Sequence, residues 1–174
     1  MFLEIFKKEL KYHLKSIYYY IFSLVIFFIT YSAVSNTNPN QMVFIGIGNE
    51  WHNSPLVIAK IFATLSIYGV LITMVMIGRS VLKDFEAKTH DFFFSLPLNK
   101  FQYLGGRFFG GLFANALIFL AVIPGMFFAC QKIGTFYCGS YNFTSFLLVF
   151  FFIVIPNLFF IGSILFTFGT LTRK

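Results

Sequence analysis

The chain has 174 residues, of which 58% are hydrophobic and only 11% are charged, and its net charge is +7. An ordinary soluble domain carries about 25% charged residues and cannot hide so much apolar surface. The composition therefore excludes a soluble fold. It also argues against nucleic-acid binding, because the basic residues sit at the ends of apolar runs rather than on one polar face.

Residues 2–15 predict an amphipathic helix ahead of the first apolar segment. Its apolar side chains share one helical stripe, while the lysines point elsewhere; the stripe is Phe2, Ile5, Phe6, Leu10 and Leu14. A basic amphipathic helix beside a span typically lies flat in the head-group layer. We expect this helix at the membrane surface.

Four apolar segments are long enough to cross a membrane, which takes about 20 helical residues. They run over about 17–34, 56–78, 101–130 and 146–170. The sequence therefore predicts an all-α, polytopic transmembrane protein with four spans. The alternative for the first segment is a signal peptide with Ala33-Val34-Ser35 as its cleavage site.

Two spans contain residues that disturb a plain apolar helix. Lys60 lies about one turn from the outer end of the second span, and we expect it to snorkel to the interface; a charge on a substrate path is the alternative. Pro124 should kink the upper part of the third span, because proline removes a helical hydrogen bond.

The third span carries a face of small residues. Gly106, Gly110 and Ala114 repeat every four residues, which places them on one side of a helix. Small residues at this spacing allow another helix to approach closely. We expect a helix–helix contact here, within the chain or across a dimer.

The positive charges are distributed very unequally between the two sides of a four-span topology. Only Lys132 falls in an outer loop, whereas eleven basic residues fall on the other side: Lys7, Lys8, Lys11, Lys15, Arg79, Lys83, Lys88, Lys100, Arg107, Arg173 and Lys174. Positive residues remain in the cytoplasm, so both termini are predicted to be cytoplasmic.

The sequence offers little catalytic chemistry. It has no phosphate-binding loop, no zinc-protease motif and no acidic residue in the middle of a span, so we expect neither an enzyme, nor a cofactor, nor a metal site. Cys130 and Cys138 flank an outer loop at residues 131–142. We expect two free thiols there; a bridge across the loop is the alternative.

Residues 79–100 join the second and third spans and are unusually long and charged for a connection. A short helix over 79–94 is predicted at the cytosolic side, before Pro97 re-aims the chain. Asp84, Phe85, Glu86 and Lys88 are the candidate partner contacts, with Phe85 as the buried anchor and the acids fixing the register. The alternative is an interfacial helix that only anchors the loop.

Several short motifs occur together between Asn53 and Leu112: Asn53-Ser54-Pro55, Lys83-Asp84-Phe85-Glu86 with Thr89, Ser95-Leu96-Pro97, Lys100, and Tyr103-Leu104-Gly105-Gly106-Arg107. This stretch, roughly one third of the chain, resembles the membrane subunit of ABC transporters of the second exporter class. It is most similar to permeases of the Bacteroidetes type, some of which continue into a zinc aminopeptidase domain.

The resemblance implies a flat N-terminal elbow helix at residues 2–15 and a coupling helix, within 79–100, that docks on a separate ABC ATPase. It further implies a second permease copy or half as a partner, and the inner (cytoplasmic) membrane as the location. The family's membrane domain has six spans, so residues 1–174 are expected to be a partial permease domain. A non-transporting membrane anchor or assembly protein is the alternative function, and an intramembrane enzyme is a third, disfavoured by the missing ionisable groups.

Overall fold

The computed structural model describes residues 2–35, 51–86, 100–134 and 137–171, and for 79–86, 100 and 171 it describes the backbone alone. Within these ranges the chain is helical and contains no strand. The helices are α1 (Phe2–Lys15), α2 (Ile17–Ser35), α3 (Pro55–Glu86), α4 (Lys100–Phe119), α5 (Val122–Ile133), α6 (Phe143–Val149) and α7 (Ile155–Leu171), and a π-helical turn (Phe150–Val154) joins the last two.

Four helical stretches are long and apolar enough to cross a membrane: Ile17–Ser35, Pro55–Gly78, Phe101–Ile133 and Phe143–Thr170. The predicted all-α class and the four spans are therefore confirmed, with boundaries within a few residues of those expected. The third stretch contains α4 and α5, and the fourth contains α6, the π-helical turn and α7. The chain is a multi-pass helical membrane protein.

Each of the two breaks in these stretches lies a few residues before a proline. Pro124 has no N–H, and its ring crowds the carbonyl of residue 120. The backbone tightens there: Leu120 N–H donates to the Leu117 carbonyl and Ala121 N–H to the Ile118 carbonyl, each three residues back. The helix is thus interrupted between α4 and α5, just ahead of the proline at which the kink was predicted. In the last stretch, the π-helical turn ends two residues before Pro156.

The second span does not end where the sequence predicted a new helix. α3 runs unbroken from Pro55 to Glu86, 32 residues, so no boundary separates Gly78 from Arg79. The first half of the predicted coupling helix over 79–94 is therefore an extension of the span. Charged residues there do not end the helix, because lysine, arginine and glutamate all have high helix propensity. Residues 87–94 lie outside the described residues.

The bundle is organised around α4. α2 packs mainly on α5, and α3 packs mainly on α7, while α4 contacts α1, α2, α3 and α7. The core between them is filled by large side chains, among them Phe62, Phe119, Met126 and Phe146. The ring of Phe119 leaves room only for glycine at position 69, because a Cβ built on Gly69 would lie 2.7 Å from that ring.

The third stretch is longer than a bilayer requires. Its 33 residues measure about 50 Å at 1.5 Å per residue, against about 30 Å of hydrocarbon. α2 runs alongside it, with the Phe27 carbonyl and Thr30 against Gly125. Phe27 is thus level with Gly125. Ten residues earlier on each helix are Ile17, the first residue of α2, and Asn115, which are therefore also about level. The beginning of α4 therefore extends past the start of α2.

Candidate functional site: the elbow junction

The extension of α4 is covered by α1, which docks on its face of small residues. A Cβ built on Gly106 would lie 3.0 Å from Ile5 Cγ2, and one on Gly110 would lie 2.8 Å from Glu9 Cβ. Ala114, one turn further, is fully buried. The structure thus brings Gly106 and Gly110 against an element of the same chain, where a larger side chain would push α1 away.

Two pairs of aromatic side chains add to the contact between α1 and α4. The rings of Phe2 and Phe109 meet edge-on at 6.3 Å, and those of Phe6 and Phe113 lie 6.0 Å apart. Such pairs contribute about 0.5–1.5 kcal/mol beyond their buried area. The apolar stripe of the amphipathic helix is therefore used, at least in part, to hold α1 to α4.

The docked face of α1 also contains an ionisable pair that the sequence analysis did not select. Glu9 and His13, four residues apart, are 3% and 1% exposed, and Glu9 Oε1 lies 3.4 Å from His13 Nε2. They form an ion pair when the imidazole is protonated. Burying a charge is costly unless a partner offsets it, and in the ion-paired form each residue is the charged partner of the other. Their spacing from Phe2 and Phe6 was the available signal, since all four share one helical face.

Four helices meet at one point near this pair, which we call the elbow junction and define by His13, Ile77, Gly111 and Gly162. A Cβ built on Gly111 would lie 3.7 Å from His13 Nε2 and 3.8 Å from Ile77 Cγ1. A Cβ built on Gly162 would lie 2.9 Å from Ile77 Cδ1. Ile77, 1% exposed, therefore occupies space that two glycines on different spans leave open.

The predicted partner contacts lie beyond this junction. The backbone of Asp84, Phe85 and Glu86 forms the last turn of α3, about two turns past Ile77. Their side chains, and all of Lys88, lie outside the described part of the chain. The contacts proposed for these four residues therefore stay predictions.

The opposite end of the bundle corrects one expectation. Cys130 and Cys138 form a disulfide, with their Cα atoms 5.8 Å apart, so they are not the free thiols expected from the sequence. Cys130 lies in the last turns of α5, and the loop returns over it, which brings the two residues within bridging distance. This end of the molecule is called the disulfide end below.

The bridged loop holds the start of α3. Gly139 N–H donates to Asn53 Oδ1 at 2.9 Å, and Asn53 Nδ2 donates to the Gly139 carbonyl at 2.7 Å. His52 lies against the same loop and is joined to α2, with Nδ1 3.1 Å from the Val34 carbonyl. Trp51, Asn53 and Gly139 contribute to an open pocket of about 270 Å³. These contacts tie the two connections at this end, between α2 and α3 and between α5 and α6, into one cap.

Tyr141 fastens the cap to α5. Its hydroxyl donates to the Met126 carbonyl at 3.1 Å, and burial raises the pKa of the phenol above its usual value. A phenol is already protonated at physiological pH, and burial favours the same neutral form, so the hydroxyl remains a donor.

Lys60, in the first turns of α3, is partly buried, and its own carbonyl accepts from Thr64 Oγ1 at 2.9 Å. In the described ranges, no group of three or more histidine, cysteine or acidic residues could hold a metal ion.

The geometry defines a class, a multi-pass helical membrane protein with an amphipathic helix docked at one end and a disulfide-bonded cap at the other. No protein-family model, no curated protein and no solved structure matches the chain.

Proposed function

We propose that this chain is the membrane-spanning permease subunit of an ATP-driven ABC exporter, with the ATPase on a separate partner and no catalysis of its own. The observation that supports this most directly is the continuity of α3. One helix crosses the membrane from Pro55 and carries Asp84, Phe85 and Glu86 on its last turn. Those residues belong to the stretch that resembles a coupling segment.

A continuous helix is a suitable lever because its backbone hydrogen bonds resist bending. In the proposed mechanism, nucleotide binding moves the ATPase, and the ATPase moves the end of α3. Ile77 moves with it, and this side chain fills the spaces at Gly111 and Gly162. A displacement of α3 would therefore be passed to α4 and α7 as a change between two packed arrangements.

The elbow helix gives the lever a second point of contact. His13 lies beside Gly111, on the same side as Ile77. α1 continues into α2 through Ser16 alone, whose N–H donates to the His13 carbonyl at 3.0 Å. In this proposal, α1 passes the movement of α4 to the first span.

We also propose that the α1 end faces the cytoplasm and that the protein lies in the inner membrane, with a second permease copy or half as its partner. The asymmetry of positive charge supports this orientation. The disulfide at the opposite end supports it independently, because disulfides persist in oxidising compartments rather than in the cytosol.

The test is recovery of an ATPase. The tagged chain is purified from its native membranes in mild detergent, and co-purifying proteins are identified and assayed for ATP hydrolysis. We expect an ATPase with the wild-type chain and none with Phe85→Ala, because Phe85 is the proposed anchor of the partner contact. The change alters no span, so a loss of the ATPase would not reflect failed membrane insertion. Phe152→Ala is the matched control, since Phe152 is 76% exposed in the fourth span, away from the coupling segment.

Two outcomes would contradict the proposal. Recovery of the ATPase by Phe85→Ala at the wild-type level would remove Phe85 from the coupling contact. A wild-type chain that brings down no ATPase, but does bring down other membrane proteins, would favour the membrane-anchor alternative.

A further inference from the structure

α1 has a second face, opposite the one that docks on α4. At 100° per residue, Lys7, Lys8, Lys11 and Lys15 fall within an arc of about 100°. The centre of this arc lies roughly opposite the buried stripe of Phe2, Ile5, Phe6, Glu9 and His13. All four lysines are exposed. We call these four residues the lysine face.

Among the residues whose side chains the structure describes, no acidic side chain pairs with the lysine face. Glu9 pairs with His13, and this pair lies on the other face of the helix. Glu4 is the one acidic residue on the same arc, so the face carries a net charge of +3 (four lysines minus one glutamate). A concentrated, exposed positive charge attracts an anionic surface or ligand.

The position of the face relative to the membrane identifies that partner. Ser16 is the whole connection between α1 and α2, and Tyr19 N–H donates to its carbonyl at 3.1 Å. The first residues of the span expose apolar and aromatic side chains: Ile17 is 68% exposed and Tyr20 is 61% exposed. Tyrosines at this place mark the membrane–water interface. Lys15 directly precedes Ser16 and Lys11 lies one turn earlier, so both are next to the predicted interface.

The docking of α1 decides how it can bind lipid. A free amphipathic helix inserts its apolar stripe among the acyl chains. Here much of that stripe is covered by α4, as the close approach of Ile5 to Gly106 shows. The attraction that remains is electrostatic, between ammonium groups and phosphates.

We propose that the lysine face is a binding surface for the head groups of anionic phospholipids, which hold the elbow helix to the membrane surface. The binding depends on the number of charges and falls with ionic strength, because salt shortens the distance over which exposed charges attract, from about 10 Å at 0.1 M to about 3 Å at 1 M. Each lysine near an anionic membrane surface contributes about a fivefold gain in affinity. This inference does not depend on the transport function proposed above.

The experiment measures lipid selectivity directly. The full chain is reconstituted in phosphatidylcholine bilayers, and the association of spin-labelled phosphatidylglycerol is compared with that of spin-labelled phosphatidylcholine by electron spin resonance. We expect wild-type protein to prefer phosphatidylglycerol at least about fivefold at low salt. The preference should fall in 0.5 M NaCl. The variant K7Q/K8Q/K11Q/K15Q should lose most of it.

Two variants separate the lysine face from other causes. K7R/K8R/K11R/K15R keeps the charge and should keep the preference, whereas Lys132→Gln removes a positive charge at the disulfide end and should leave it unchanged. Thermal unfolding in neutral detergent should be the same for all variants, because exposed side chains contribute little to stability.

The proposal is overturned if the quadruple glutamine variant keeps the wild-type preference, or if 0.5 M NaCl leaves the preference intact. The same ammonium groups could instead bind free phosphate ions, so inorganic phosphate is added as a competitor. If it displaces the labelled lipid more strongly than NaCl of equal ionic strength, the face is a free-phosphate site and the lipid assignment fails.

Discussion

Asn115 donates its side-chain N–H to the hydroxyl of Thr73 at 2.6 Å, which joins α4 to α3 inside the bundle. Both side chains are fully buried. The Thr73 hydroxyl donates in turn to the Gly69 carbonyl at 2.6 Å. The pair therefore joins two spans about one turn from the elbow junction, in the buried interior of the bundle.

Breaking this pair should loosen the two spans. We expect Asn115→Leu and Thr73→Val each to lower the free energy of unfolding in detergent by about 1 kcal/mol, with a coupling of about 0.6–1.7 kcal/mol in a double-mutant cycle. Ser163→Ala is the control, because the Ser163 hydroxyl donates within its own helix, to the Phe160 carbonyl. A coupling of zero would show that the hydrogen bond does not stabilise the bundle.

Enlarging the face on which α1 docks should displace that helix. Gly110→Leu should destabilise the protein by about 1–3 kcal/mol, because its Cβ alone would lie 2.8 Å from Glu9 Cβ. Gly78→Leu is matched to it, since no described atom lies within 4 Å of a Cβ at Gly78. Thermal unfolding in detergent compares the two, and equal melting temperatures would argue against a tight α1–α4 contact.

The disulfide can be counted chemically. Denatured, unreduced protein should label no thiols with a maleimide, and reduced protein should label two, Cys130 and Cys138. The double variant C130S/C138S should lose about 2.5 kcal/mol of stability by the chain-entropy account of a short closed loop. Two labelled thiols before reduction would restore the expectation that the sequence alone suggested.

The proposed orientation can be tested from outside the cell with a membrane-impermeant maleimide. The bridged native cysteines leave the background low. Ser140→Cys, on the exposed loop at the disulfide end, should label in intact cells. Glu4→Cys, exposed on α1, should label only after permeabilisation. Labelling of Glu4→Cys in intact cells would reverse the orientation, and with it the cytoplasmic placement of the coupling segment.

The sequence alone determined the membrane class, the four spans and the disturbance of the third span at Pro124. Each follows from a local rule: a bilayer of fixed thickness requires an apolar helix of fixed length, and a proline inside a helix removes a hydrogen bond wherever it occurs. The amphipathic pattern of residues 2–15 likewise predicted a helix, and α1 forms over those residues.

Only the tertiary structure decided which faces meet. The burial of Glu9 and His13 depends on α1 docking on α4, and the disulfide depends on the loop after α5 returning to Cys130. The Thr73–Asn115 bond joins residues that are 42 positions apart. From the sequence alone, a polar residue is predicted to be exposed, because its hydrogen-bond partner in another helix is unknown. Packing in space, rather than periodicity along the chain, determines that partner.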